Sequence, residues 1–351
     1  MLQTKTMSTA QESTNSSDDE TTSIDISNKQ LGRLPDLSKF STLVTLDCKY
    51  TNLQSLPSLN ETLTYLDCSG NQLKYLPPLN EKLKNLICYN NQLTQLPSLN
   101  EKLKNLLCYN NQLTRLPPLN ETLTYLTCSG NQLKYLPPLN KILEKLYCAY
   151  NQLTELPLLN DNLKVLCCGG NQITELPSLT KQLKNLYCSH NYLIALPPLN
   201  NCLTSLYCYN NRLTHLPPLN VTLTYLDCSG NQLKYLPPLN KNLERLYCYN
   251  NRLIQLPQLN ETLKIVACFN NPLDVLNCKD TIDTMRRNIK TLHNFRHLYY
   301  CLKFKNQFRT WLWERVREPK IALKYHPSYL EKHLIHDVEL DNVIAEWIGD
   351  D

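Results

Sequence analysis

The sequence predicts a solenoid of the α/β type. It is a curved stack of short repeats with a parallel inner sheet, an extended, polyproline-like outer face and a small helical C-terminal module. Three observations predict it. Cysteine recurs every twenty residues from Cys48 to Cys268, twelve times, without insertion or deletion. Leucines hold fixed places around each cysteine, as at Leu63, Leu66, Cys68, Asn71, Leu73, Leu76-Pro77 and Leu79-Asn80. After Asn271-Pro272-Leu273 the period stops and helical spacing takes over. Strict self-similarity at a short period means that each unit buries its apolar side only against its neighbours.

Composition narrows the function classes. The chain has 351 residues, 42% of them apolar, with leucine carrying the core and only 7 glycines. Tight glycine turns and phosphate-cradling loops are therefore not expected. A net charge of +5 is too small to imply a nucleic-acid or acidic-lipid partner by itself. Sixteen cysteines in a short secreted chain would read as a disulfide framework, but here twelve are one repeat position. Residues 1–23 hold no apolar core of the kind a signal peptide needs, and no run is long enough to span a membrane. An intracellular, cytoplasmic chain with reduced thiols follows, and the Asn-x-Thr triplets at Asn60, Asn120, Asn220 and Asn260 read as by-products of the repeat.

In chain order, residues 1–22 are polar and acidic with little to bury, and they predict a disordered tail. Residues 23–42 form a degenerate first repeat, with Ile24 and Ile26 in the core places and a linking segment two residues longer, containing Phe40. It reads as the N-terminal cap that a stack requires. Residues 43–277 are the solenoid, twelve units of twenty residues. In each unit the run around the cysteine is a strand whose alternate residues face the core and the inner surface. Leu66 and Cys68 point inward, while Tyr65, Asp67 and Ser69 point to the inner surface.

Asparagine follows the cysteine by three residues in eleven of the twelve units, with Thr51 the exception. Its amide can pair backbone groups where the chain leaves the strand. Cys68, Asn71, Cys88, Asn91, Cys168 and Asn171 are thus structural positions. A second asparagine row runs from Asn60 to Asn260, with Thr180 substituting once. The Leu-Pro return fixes φ and removes a donor, which disfavours a helix there. Residues 278–351 predict a helical cap or module that Pro319 and Pro327 divide into short helices.

The pattern Leu-x-x-Leu-x-Cys-x-x-Asn-x-Leu resembles the leucine-rich repeat, with cysteine in a slot usually held by leucine. The twenty-residue unit with its Leu-Pro return is similar to bacterial type-III-secreted leucine-rich effectors. The Cys-Tyr-Asn-Asn wording is similar to the leucine-rich repeat proteins of giant amoebal viruses of the mimivirus type. The resemblance covers residues 24 to about 277 and implies a fold, with no catalytic residue to transfer.

The positions between the core residues carry the functional signal. Thirteen of 21 tyrosines fall on the inner surface, among them Tyr65, Tyr89, Tyr109, Tyr125, Tyr147, Tyr187, Tyr207, Tyr209, Tyr225, Tyr247 and Tyr249. Tyrosine joins large contact area to a polar tip at low entropic cost, and charges there are sparse. A protein partner is expected, drawn from a host cell if the chain is viral, with neither membrane nor nucleic acid as its target. Cys167, beside Gly169 and Gly170, predicts a notch in this wall. Stacked tyrosines also stabilise a sheet directly, which is the competing account.

Three other readings weigh less. A line of thiols at a spacing of twenty does not converge on a metal, so no metal or cofactor is expected. Cys278-Lys279-Asp280 resembles the nucleophile motif of the ubiquitin-ligase domain found in some bacterial effectors, but no base accompanies it. Eleven Lys or Arg between Arg286 and Lys324, interleaved with aromatics such as Phe295 and Trp311, could bind nucleic acid. Their helical spacing favours aromatics packed in a core with a solvated basic face.

Overall fold

The structure, a computed structural model, describes residues 4–6, 21–34, 36–273, 281–303 and scattered positions between 305 and 320. Fourteen strands of three residues each form one parallel sheet in strict chain order. They begin with β1 (Thr4–Thr6) and β2 (Ser23–Asp25), then run from β3 (Thr45–Asp47) to β14 (Ile265–Ala267). From β3 onward the register advances by one unit per strand, so Leu166, Leu186, Leu206 and Leu226 lie side by side. From β3 to β14, the segments that return between strands hold neither helix nor strand.

The core lies between sheet and return. In the unit around Cys208, Leu203, Leu206, Cys208 and Leu213 are 0% exposed, and Leu216 is 7% exposed. The same places repeat from Leu43 to Cys268. Cysteine thus serves as a small buried apolar residue in a continuous column. None of the fourteen described cysteines is in a disulfide.

Each strand ends for a local reason. The residue two after the cysteine has φ between 51° and 66° in all twelve regular units. Glycine fills it four times and asparagine five, with Tyr50, Tyr150 and His190 in the rest. Tight glycine turns, not expected from the scarcity of glycine, occur in four units, and elsewhere asparagine, which tolerates the left-handed region, mostly replaces glycine. The asparagine that follows stitches two units together. Asn91 Oδ1 accepts from Leu73 N at 3.0 Å, while its Nδ2 donates to Cys68 O at 3.0 Å and Cys88 O at 3.2 Å. Thr51 makes a shorter substitute, its Oγ1 donating to Cys48 O at 2.6 Å.

The second asparagine row stitches the opposite turns. Asn100 Nδ2 donates to Asn80 O and Leu83 O, at 2.6 and 3.0 Å. At Asn60, Asn120, Asn220 and Asn260 the Nδ2 likewise donates to carbonyls of the preceding unit. A glycan on any of these nitrogens would displace the rung.

Both ends depart from the regular unit. Ile24 and Ile26 are buried as the first layer, and the longer link holds a 3-10 turn, Leu37–Lys39, with Phe40 3% exposed. The expectation that residues 1–22 are without structure is corrected at Thr4–Thr6, which pair with Ser23–Asp25. The backbone edge of β2 needs partners whatever the side chains are, and a polar segment can supply them.

The chain divides into two compact units, Met1–Arg286 and Arg287–Asp351. The helix α1 (Ile282–Lys303) is 22 residues long, so the C-terminal region opens with one long helix rather than a short one. Phe295, placed in an apolar core by its spacing, is 65% exposed instead. Cys278, Lys279 and Asp280 lie outside the described residues, as do Phe304, Phe308, Trp311 and Trp313.

Candidate functional site

The open face of the sheet is built from three residues per unit. They are the two that flank the central strand leucine and the one that follows the cysteine. Parallel register places equivalent residues of adjacent units beside one another, so identical rings stack along the sheet. Tyr89 and Tyr109 stack at 4.3 Å between ring centroids, nearly parallel at 9°. Tyr249 and Phe269 do the same at 4.5 Å and 8°.

The longest stack crosses four units. Tyr187 lies 4.7 Å from Tyr207, Tyr207 lies 4.3 Å from Tyr225, and Tyr225 lies 5.5 Å from Tyr247. Tyr225 comes from the other flanking position, because the place in line with Tyr207 and Tyr247 is taken by Asp227. That carboxylate folds down and accepts from Ser229 N and Ser229 Oγ at 3.1 and 2.6 Å, leaving room for the ring above. Tyr125 and Tyr147 meet in the same offset manner at 5.7 Å, across Thr127.

The expected face tyrosines Tyr65, Tyr89, Tyr109, Tyr125, Tyr147, Tyr187, Tyr207, Tyr209, Tyr225, Tyr247 and Tyr249 are all half-buried. Each ring thus covers part of its neighbour and leaves part open. Burial, reinforced by Tyr89, pushes the Tyr109 phenol up to about 12. Burial also raises Tyr65, Tyr147, Tyr187, Tyr209 and Tyr225, so these phenols stay neutral near neutral pH. Tyr89 differs, its phenol lowered chiefly by its hydrogen bond with the Ser69 side chain.

Charge on this face is mostly self-contained. Asp67 is 5% exposed and accepts from Ser69 N and Oγ at 3.0 and 2.6 Å. Asp47 meets Lys49 Nζ at 2.7 Å, and Lys145 Nζ lies 5.7 Å from the centre of the Tyr125 ring. Such a face is neutral, aromatic and rich in hydroxyl groups. It offers contact area and hydrogen bonds without the cationic field that phosphate backbones require.

Two depressions interrupt it. One, of about 250 Å³, has Cys167, Gly169, Ala149 and Ser189 at its small-residue base, with Tyr150, Gly170, Tyr187, His190, Tyr207 and Tyr209 around them. The Tyr150 ring lies so close over Gly170 that a Cβ there would fall 2.6 Å from it. A Cβ at Gly169 would meet Ser189 O at 3.0 Å. Burial raises the Cys167 thiol, which argues for a wall rather than a nucleophile. The other, of about 330 Å³, is a shallower place bordered by Asn85, Ile87, Asn105, Leu107 and Tyr125.

Sequence reasoning did not find Ala149, Ser189 and His190 around the first depression, nor Ile87 and Leu107 in the second. The register alone could have found Ala149, Ser189, Ile87 and Leu107, which occupy face positions, whereas His190 sits at the left-handed turn beside the face. The structural residues Cys68, Cys88 and Cys168 are 0% exposed, and Asn71, Asn91 and Asn171 are no more than 9% exposed. Among the described residues, no group of His, Cys, Asp or Glu is placed to hold a metal ion, and no helix is long and apolar enough to cross a membrane.

Comparison with known proteins sets this geometry in context. The family of leucine-rich repeats (2 copies) matches residues 143–181, 161–201 and 221–261. No curated protein matches the chain. Among solved structures, YopM from Yersinia enterocolitica WA-314 is 33% identical with a TM-score of 0.66, over 72% of this chain and 60% of that one. YopM from Yersinia pestis, a leucine-rich effector protein, is 33% identical with a TM-score of 0.65, over 71% of this chain and 78% of that one. The functional domain of InlJ from Listeria monocytogenes, which includes a cysteine ladder, is 28% identical with a TM-score of 0.58, over 72% of this chain and 64% of that one.

Proposed function

This chain belongs to the leucine-rich repeat family, and on that premise we propose that it is a non-enzymatic protein-binding scaffold whose tyrosine-rich sheet face holds the partner. The observation that carries the reading is the chemistry of that face. Stacked or tilted, half-buried rings line it from Tyr187 to Tyr247. Surfaces of this kind bind proteins because rigid aromatic area is desolvated at little entropic cost, while phenol tips supply specificity. Leucine-rich repeat solenoids are in general protein-binding scaffolds, which agrees. The fold likeness to YopM from Yersinia pestis, a leucine-rich effector protein, suits a chain that acts by holding other proteins. A viral origin, suggested by the Cys-Tyr-Asn-Asn wording, would place that partner in the cytoplasm of a host cell.

Photo-crosslinking tests the location. A benzophenone amino acid at position 187, 207 or 247 should capture a protein from cell extract. The same group at Tyr75, Tyr135 or Tyr235, which are 58%, 56% and 48% exposed away from the strands, should not. Capture from the second set alone would overturn the assignment of the face.

A further inference from the structure

The geometry points to one kind of occupant for the depression at Cys167: an aromatic side chain of the partner protein, seated against Tyr187 and Tyr207. The inference rests on the reading of this face as the protein-binding surface and adds the chemistry of the anchor.

Register makes the gap. The strand pairing sets Cys167 directly between Tyr147 and Tyr187. Tyr187 stacks on Tyr207 at 4.7 Å, and both border the depression together with Cys167. A planar ring placed there would have these tyrosines to pack against. Offset stacking between such rings is favourable beyond the area it buries.

The space admits a ring. Glycine at 169 and alanine at 149 keep the base low, and the space amounts to about 250 Å³. The rim is held at a conformational cost. Tyr150 has φ 53°, a region that bulky residues rarely enter, and its ring closes over Gly170. Asparagine and glycine serve that place in nine of the twelve units, so the ring here is a departure that shapes the wall.

Charge decides between a ring and a cation. No carboxylate borders the depression, and the bordering groups are phenols, a thiol, a serine, an alanine, glycines and His190. A neutral ring loses little water on entry, whereas an arginine or lysine would be desolvated without an opposing charge. A nucleobase would stack, but its attached phosphate finds no cation among these residues.

Saturation-transfer NMR on the full chain tests the assignment with three probes: N-acetyl-tryptophanamide, N-acetyl-argininamide and cytidine monophosphate. Transfer to the tryptophan probe is expected, with less or none to the other two. Cys167→Tyr, which sets the chain's own ring in the gap as at Tyr147 and Tyr187, should abolish that transfer, while Cys167→Ala should retain it. Tyr187→Leu, which removes the stacking partner but keeps an apolar residue, should also lose it and serves if Cys167→Tyr does not fold. Absence of transfer, equal transfer in wild type and both blocking variants, or preference for the arginine or nucleotide probe would each overturn the aromatic occupant. Those results would leave the broader face assignment standing on its crosslinking test, and failure of the crosslinks would not by itself empty the depression.

Discussion

Arg286 takes the place of an asparagine that the sequence does not have. Its guanidinium donates to Asn260 O at 2.8 Å and to Leu263 O at 3.0 Å. One unit earlier, Asn260 Nδ2 donates to the matching carbonyls, Asn240 O at 2.5 Å and Leu243 O at 3.1 Å. A third bond, to Glu261 O at 3.1 Å, uses the fork of the guanidinium. The row of turns therefore ends with its last carbonyls paired, which a solenoid end requires as much as it requires an apolar cover.

Arg286→Ala should lower unfolding stability by about 1–3 kcal/mol, since two partly buried carbonyls and one exposed carbonyl lose their donor. Arg286→Lys should recover only part of that, because a point ammonium cannot span the three acceptors. Chemical denaturation of the two variants checks both statements. Equal stability of wild type and Arg286→Ala would show that water caps these carbonyls as well as the guanidinium does.

Mid-stack substitutions should separate packing from pairing. Leu206 is 0% exposed, and Leu206→Ala should cost roughly 2–5 kcal/mol as a cavity. Asn211 accepts from Leu193 N at 3.1 Å and donates to Cys188 O and Cys208 O, both at 3.1 Å. Asn211→Ala should cost about 1–3 kcal/mol. Asn211→Asp keeps the acceptor but not the donor, and should not restore wild-type stability.

Burial raises the carboxyl of Asp227 above its ordinary 3.8, against the opposing bonds from Ser229. A raised folded value means that this residue favours folding while it is protonated, and that the benefit is lost as pH rises through the folded value. Asp227→Asn keeps an acceptor for Ser229 without the buried charge. The variant should exceed wild type in stability at neutral pH, and the difference should shrink as pH falls below the folded value. Denaturation series across that range read it, and a less stable variant at neutral pH would reverse the sign.

Burial pushes the thiols of Cys128 and Cys188 up to about 12, and the other column cysteines with known shifts are raised for the same reason. Native-state alkylation near neutral pH should therefore leave the column unlabelled while exposed Cys202 reacts, with half-buried Cys167 slower. Peptide mass spectrometry after denaturation and a second label reads each site. Early labelling of Cys128 or Cys188 would show that the stack opens locally in the middle.

Much of the fold was legible because repetition multiplies a weak signal. One Leu-x-Cys run says little, but eleven in register, followed by Val266-Ala267-Cys268, exclude other periods. Single-copy features were not legible for the same reason. Arg286 looks like one basic residue among several, and Thr4–Thr6 look like any polar segment until β2 offers an edge. The left-handed turn at Tyr150 was hidden because asparagine usually fills that place and reads as ladder chemistry. At the face, the tyrosines could be placed by alternation alone. The sideways step of the stack at Tyr225 could not, because it depends on the Asp227 carboxylate turning down onto Ser229.

The measurement closest to the central claim compares two triple variants with wild type in affinity capture and in binding of the captured partner by calorimetry. Tyr187→Ala, Tyr207→Ala and Tyr247→Ala together open the sheet face. Tyr75→Ala, Tyr135→Ala and Tyr235→Ala together strip a matched number of exposed rings elsewhere. With both variants folded by circular dichroism, loss of the partner in the first and full binding in the second is the predicted result. Equal binding by all three proteins, or loss only in the second, would contradict it.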